Sequence, residues 1–389
     1  MFAPVSFQDV SFPQTAVMGD LDMISEAYGA WNQYSNQPTS STFSTSSYFT
    51  TSLSGSGAAI GRFGLAPNDR IFSVFENGTT GYIWDTNTNT EIGTVSLTNP
   101  GTIRKVVYDN LTNSWVVCGT NNFIKVNCVT TASTNIAVPT NQGTQYASVV
   151  AYNGKAYGLP YVSTGTNTAV AVFDLVANTA STGSARPGAG GFWGATLTSI
   201  GTIYFFKEIG GTNNSIYEYN PTTGTGTLFG TLSGNSGYLV SNLPDGRVIS
   251  QGLGTEANSF IINPNNKDIA TISKGGIPAG NTGICVGQDG KVWTVRSSPA
   301  PADSTLYYFN PVNNVQTSLS GSLLLQRPTS GDRGFQDLIQ LSDGRIAIMP
   351  GQNNSGRLVY FNYLANRSAN NGYTSAGMAN PIMTTGQGT

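Results

Sequence analysis

The chain has 389 residues, 47 of them glycine, with 10% charged residues, a formal net charge of −2 and no histidine. Its 18 Lys and Arg are scattered, with Arg104-Lys105 the one adjacent pair, so the clustered basic stripe of a nucleic-acid binder is missing. No apolar run reaches the roughly 18 residues of a membrane helix, and the lack of histidine excludes Ser-His-Asp and Cys-His catalysis and histidine-ligated zinc or copper.

The first 57 residues stand apart from the rest of the chain. The opening MFAPVSFQD has neither a basic start nor an apolar core, so it does not read as a secretory signal. Phe2, Val5, Phe7, Val10 and Phe12 are apolar beads on a segment containing Pro4 and Pro13, which reads as an extended arm. Asp20 is placed to cap a short helix in which Leu21, Ile24, Tyr28 and Trp31 recur at intervals of three and four, giving one apolar face. That face packs on the rest of the chain or docks on a partner. Asp20-x-Asp22 is the nearest approach to a metal site, and capping is its simpler role.

From residue 58 to 372 the chain repeats. Seven times an apolar or aromatic residue runs into Asp or Asn and a polar turn, at Asp85, Asn127, Asp174, Asn220, Asn263, Asn310 and Asn362. A period of 42 to 52 residues built from short strands predicts a β-propeller with one four-stranded antiparallel blade per repeat, seven in all. A second landmark keeps phase with the first: Asp245-Gly246, Asp289-Gly290 and Asp343-Gly344, with weaker copies at Asn68-Asp69, Asn113-Ser114, Asn153-Gly154 and Gly201-Thr202. Asp-Gly suits the positive φ angles of a tight two-residue hairpin, expected here between the first and second strands of each blade. Asp and Asn alternate at the first landmark, so each side chain is expected to hydrogen-bond its own turn.

Within a repeat the inner strand carries small residues, such as Ser148, Gly194, Ala195 and Gly283, because strands crowd at a propeller axis. Third strands such as Ile216-Tyr217-Glu218-Tyr219 are β-branched and aromatic, suited to the gaps between blades. Blade seven lacks an outer strand after Asn362, so part of Thr42 to Leu53 is expected to supply it and clasp the first and last blades. Residues 373–389 form a tail.

Gly210-Gly211 followed by Tyr217, Tyr219 and Asn220-Pro221-Thr222-Thr223-Gly224 resembles the kelch repeat. That resemblance implies a propeller with this strand order. Kelch-type propellers include protein-binding modules and an oxidase with a copper site, whose histidine chemistry this chain lacks. Gln288-Asp289-Gly290-Lys291-Val292-Trp293 resembles part of the sialidase Asp-box, a structural motif there.

Cys118 and Cys128 fall on adjacent strands, with Cys128 about five residues beyond the partner of Cys118, roughly 16 Å along the ladder and too far to bridge. Cys285 reads as a small buried filler. Glu208, Glu218, Glu256, Asp303, Asp332 and Asp337 are the acids left over for paired-carboxylate chemistry, and nothing in the sequence pairs any two of them.

The resulting expectation is a non-enzymatic structural or interaction protein without cofactor or metal. Its low charge, Gly/Ser/Thr/Asn-rich β composition and apolar arm resemble bacteriophage virion and tail accessory proteins, which implies a virion location and attachment through the N-terminal arm. The expected partners are other structural proteins of the same assembly or a second copy of the chain, with neither nucleic acid nor membrane insertion. The alternative is a propeller that binds a carbohydrate or host receptor, favoured by exposed aromatics such as Trp193 or Tyr363. A carboxylate hydrolase would need two acids converging in the central channel or on one face.

Overall fold

The computed structural model describes residues 42–45, 61–139, 146–161, 169–185, 191–207, 214–232, 237–252, 258–273, 281–287, 289–296, 306–311, 315–319, 335–350 and 358–362. The proposed helix with Leu21, Ile24, Tyr28 and Trp31, the Asp20-x-Asp22 pair, Gly210-Gly211 and the tail lie outside them. The described residues form seven four-stranded antiparallel sheets, each built from strands consecutive in sequence except the last. Their inner strands are Gly61–Leu65, Ile103–Asp109, Ser148–Tyr152, Phe192–Leu197, Leu239–Asn242, Asn281–Val286 and Phe335–Gln340. The expected seven-bladed propeller is the observed fold.

Closure of the ring uses the segment that the sequence pointed to. Thr42–Thr45 is the outer strand of blade seven, pairing antiparallel with Val359–Asn362 in the register Thr42↔Asn362 to Thr45↔Val359. Three side-chain contacts reinforce the seam between blades one and seven. Trp84 Nε1 donates to Tyr360 Oη at 2.9 Å, Arg345 Nη2 donates to the Thr86 carbonyl at 3.0 Å, and Asp69 accepts from Ser342 N at 2.8 Å and from its hydroxyl.

Apolar packing follows from the pleat. Each pair of neighbouring blades encloses its own hydrophobic cluster, as with Phe72, Ile83, Val106 and Trp115 between blades one and two, or Tyr204, Ile216, Val248 and Phe260 between four and five. Seven such clusters close the ring. The second and third strands supply most of them, since alternate residues of a twisted strand reach into the gap on either side.

Turns form one face of the disc, here the turn face. At Asp85, Asn127, Asp174, Asn220 and Asn263 the side-chain oxygen accepts the backbone N–H two residues on, at 2.9–3.0 Å. The hairpins differ from expectation. The two-residue turn with both φ positive occurs at Asn153-Gly154 (51° and 75°), between the paired residues Tyr152 and Lys155. The Asp-Gly copies are longer: only the glycine is left-handed, at 85° in Gly246 and 89° in Gly344. Leu243 N donates to Arg247 O at 2.7 Å and Gly246 N to Leu243 O at 3.0 Å. Asp245 then uses its side chain, accepting from Arg247 N at 3.0 Å and from its Nε at 2.7 Å. Asp343 and Arg345 repeat the arrangement. The aspartate itself stays at negative φ and its side chain ties down the residue that leads into the second strand.

Cys118 pairs in register with Phe123, five residues short of Cys128, and all three cysteines are free and buried.

Candidate functional site at the channel mouth

All inner strands begin on the face opposite the turns, and four of them begin irregularly. The ladder to the second strand shifts by one residue between Ile103 and Lys105, Phe192 and Gly194, Asn281 and Gly283, and Phe335 and Asp337. Each shift is a β-bulge at the same level, with Arg104, Trp193, Thr282 and Gln336 as the extra residues. A bulge bends its strand and re-aims a side chain, so a ring of bulges at the rim is a way to turn inner-strand residues toward the axis.

Two glycines let the strands come close enough for this. A methyl group on Gly194 would lie 2.5 Å from the Gly237 carbonyl oxygen, and one on Gly283 would lie 2.8 Å from the Asp337 Cα. Ser148, fully buried in blade three, donates its hydroxyl to the Gly194 carbonyl at 2.6 Å and so fixes the peptide beside Trp193.

Around the rim, residues from five blades converge. Glu76 follows the second strand of blade one and pairs with Arg104 of blade two at 2.5 Å. The Arg104 guanidinium stands 5.7 Å from the Trp193 ring centroid in blade four. Tyr161 of blade three meets Trp193 edge-on at 4.8 Å, and Tyr238, at the start of blade five, lies 5.1 Å away on a tilt. Trp193, Tyr161 and Tyr238 are half-buried, in contrast to Trp84, Trp115 and Trp293, which are enclosed in the blade clusters. Trp193 is therefore neither a loop-tip residue nor a core residue; it forms one wall of the mouth.

Below the rim the inner strands enclose a cavity of about 430 Å³, lined by six of the seven blades and including Lys105, Thr196, Ser241, Cys285 and Asp337. Asp337 accepts from Leu338 N at 3.0 Å and from Phe63 N. Burial pushes its carboxyl above the usual aspartate value, against the opposing pull of Lys105, Arg62 and these backbone donors. Arg62, 8% exposed, is held below its ordinary value by burial, partly offset by Asp337 and Glu76. Burial likewise pushes the Cys285 thiol up, which suits a filler rather than a nucleophile.

Of the acids singled out in sequence, Asp337 reaches the channel. Glu218 instead pairs with Lys267 at 2.9 Å across blades four and five, and Glu208, Glu256, Asp303 and Asp332 lie outside the described residues. Glu76 and Arg62 were missed, and no local signal marks them: both take their place from the packing of blades one and two. Arg104 and Lys105 did carry a signal, as the chain's one adjacent basic pair. Among the described residues no three His, Cys, Asp or Glu side chains cluster as metal ligands, and no helix is long and apolar enough to cross a membrane.

No family model matches the chain, and no curated protein matches it. Solved structures do. A streptogramin B lyase superposes with a TM-score of 0.64 at 12% identity, covering 82% of this chain and 97% of that one. Virginiamycin B lyase from Staphylococcus aureus gives 0.62 at 10% identity, covering 83% and 99%. The WD40 β-propeller domain of Doa1 gives 0.54 at 15% identity, covering 82% and 97%. At these identities the likeness is one of fold.

These neighbours correct one expectation. The chain was expected not to be an enzyme, yet rings of the same architecture carry lyase activity, so that expectation does not stand. A virginiamycin B lyase variant with a histidine replaced by alanine is described as catalytically inactive; this chain has no histidine to take that role. Neither the kelch likeness nor the virion likeness is carried by any family match; what is common to all is the propeller.

Proposed function

We propose that the ring is a recognition domain that binds a saccharide at the channel mouth, displayed on a virion and held through the chain outside the ring. The observation that carries this reading is the half-buried Trp193, turned to the rim by its bulge and framed by Tyr161, Tyr238 and Arg104. A pyranose has one face of C–H groups, apolar and weakly positive at hydrogen, which matches the negative face of an aromatic ring, while its hydroxyls need the charged and hydroxyl donors that surround such a ring. The display part of the reading rests on composition and on geometry: Thr42 and Asn362, the first and last described residues, lie together at the turn face, opposite the mouth.

A second reading, hydrolysis of the bound saccharide, is favoured by Asp337. Its carboxyl is biased toward the protonated form of a general acid, and Glu76 is a second acid interacting with the same Arg62.

The test is a glycan screen with the full chain, followed by titration of any hit against Trp193→Ala. Removal of a stacking platform is expected to weaken binding by at least about tenfold, with an unchanged thermal midpoint within about 2 °C showing that the ring is intact. No binding of any saccharide at millimolar concentration, or equal binding by the variant, refutes the assignment. Release of shorter sugars from a hit would favour hydrolysis.

A further inference from the structure

Among the described residues the mouth carries more positive than negative charge, and this bears on which saccharide it takes. The inference rests on the recognition reading above. Because Arg104 is the extra residue of a bulge, it and Lys105 together oppose a single partner: Ile103 pairs with Gly119 and Lys105 with Cys118. Two consecutive cations, which would point to opposite faces of a regular strand, are here both deployed about the channel, Arg104 over Trp193 and Lys105 on the cavity wall.

Behind them stands Arg62, buried, with its Nε lacking any hydrogen-bond partner. The carboxylates that interact with this group are Glu76, which pairs with Arg104, and Asp337, which acts on Arg62 from the channel. Lys207 stands at the same level, opposite Phe192 in register. Among the described residues, three cations thus stand about two carboxylates, one positive charge in excess, in a site walled by aromatic rings. The excess lies beside the buried Arg62 and the largely buried Arg104, where charge is screened less than on an open surface, and this favours an anion as its counterpart.

We infer that the saccharide taken at the mouth is an acidic one, whose ring lies on Trp193 and whose carboxylate is received by Arg104 and Lys105, with Arg62 as a buried positioning charge. The geometry sets the two demands side by side: the Arg104 guanidinium stands 5.7 Å from the centroid of the Trp193 ring.

The experiment uses the full chain and matched pairs: oligosaccharides of glucuronate, galacturonate and N-acetylneuraminate, each beside its uncharged methyl ester. At low ionic strength at least one carboxylate form is expected to bind about tenfold more tightly than its ester, with that preference falling as salt rises through 0.5 M. Lys105→Ala should remove most of the preference for the acid over its ester, with a thermal midpoint within about 2 °C of the wild type showing that the ring is intact. Lys105→Glu should reverse it. Equal binding of acid and ester overturns the inference and leaves saccharide recognition standing. No binding of either form, with neutral glycans also failing, overturns both.

Discussion

Asp69 offers a quantitative test of how the ring is closed. It sits in the first turn of blade one, 3% exposed and left-handed at φ 58°, and accepts two hydrogen bonds from Ser342 of blade seven. Replacing it with alanine removes both acceptors. A hydrogen bond to a charged group contributes roughly 1.5–3 kcal/mol when buried, but Ser342 is exposed, so water recovers part of each. An alanine at left-handed φ costs roughly 1 kcal/mol more. Allowing for non-additivity, Asp69→Ala should destabilise by about 3 kcal/mol. With an unfolding entropy of roughly 0.8 kcal/mol/K for a chain of 389 residues, this lowers the midpoint by about 4 °C in scanning calorimetry. Asp69→Asn keeps one acceptor and tolerates the backbone, so it should lose about half as much. Asp85→Ala, which empties an exposed turn within one blade, should lose about 1 °C. If Asp69→Ala melts within 1 °C of the wild type, or no differently from Asp85→Ala, the contact does not hold the seam.

Three further outcomes are expected. A methyl on Gly81 would run into the Phe72 ring in the cluster between blades one and two, so Gly81→Ala should cost about 1–3 kcal/mol in denaturant midpoint. Asp337 binds its proton more tightly folded than unfolded, so relative to Asp337→Asn the wild type should gain stability as pH falls from neutral through its raised value toward the ordinary 3.8, and lose that gain on return; parallel pH profiles of the two would refute it. Deleting residues 1–45 removes the outer strand of blade seven and bares the edge Val359–Asn362, which should lower the midpoint by roughly 10 °C or more, or drive association through the open edge; deletion of residues 1–37 should do neither.

The propeller was legible because its signals are local and repeated. An Asx turn needs one Asp or Asn and the next two residues, so Asp85, Asn127, Asp174, Asn220 and Asn263 announce themselves in any blade. Hairpin type was less legible, since Asp245 and Asn153 precede glycine alike and the difference lies in how many residues the strands leave unpaired. The mouth was hardly legible at all. Its Glu76–Arg104–Trp193 sequence of contacts joins blades one, two and four, and it exists because of register shifts that no run of residue types marks. Trp193 and Asp337 were visible as candidates, but their partners Tyr161, Tyr238 and Arg62 came only from the closed ring.

The antiparallel clasp also decides how the ring bears force. Thr42 pairs with Asn362, so the first and last described residues lie side by side on the same rung. Tension between those two residues opens the clasp one rung at a time, beginning with the pair under load. Tension on Thr42 against a load at the opposite face runs along the strands, loading all four rungs of the clasp together in shear. A ring tethered at Thr42 and pulled at its mouth is thus gripped in its stiff direction, while the same ring stretched between Thr42 and Asn362 would come undone at its seam.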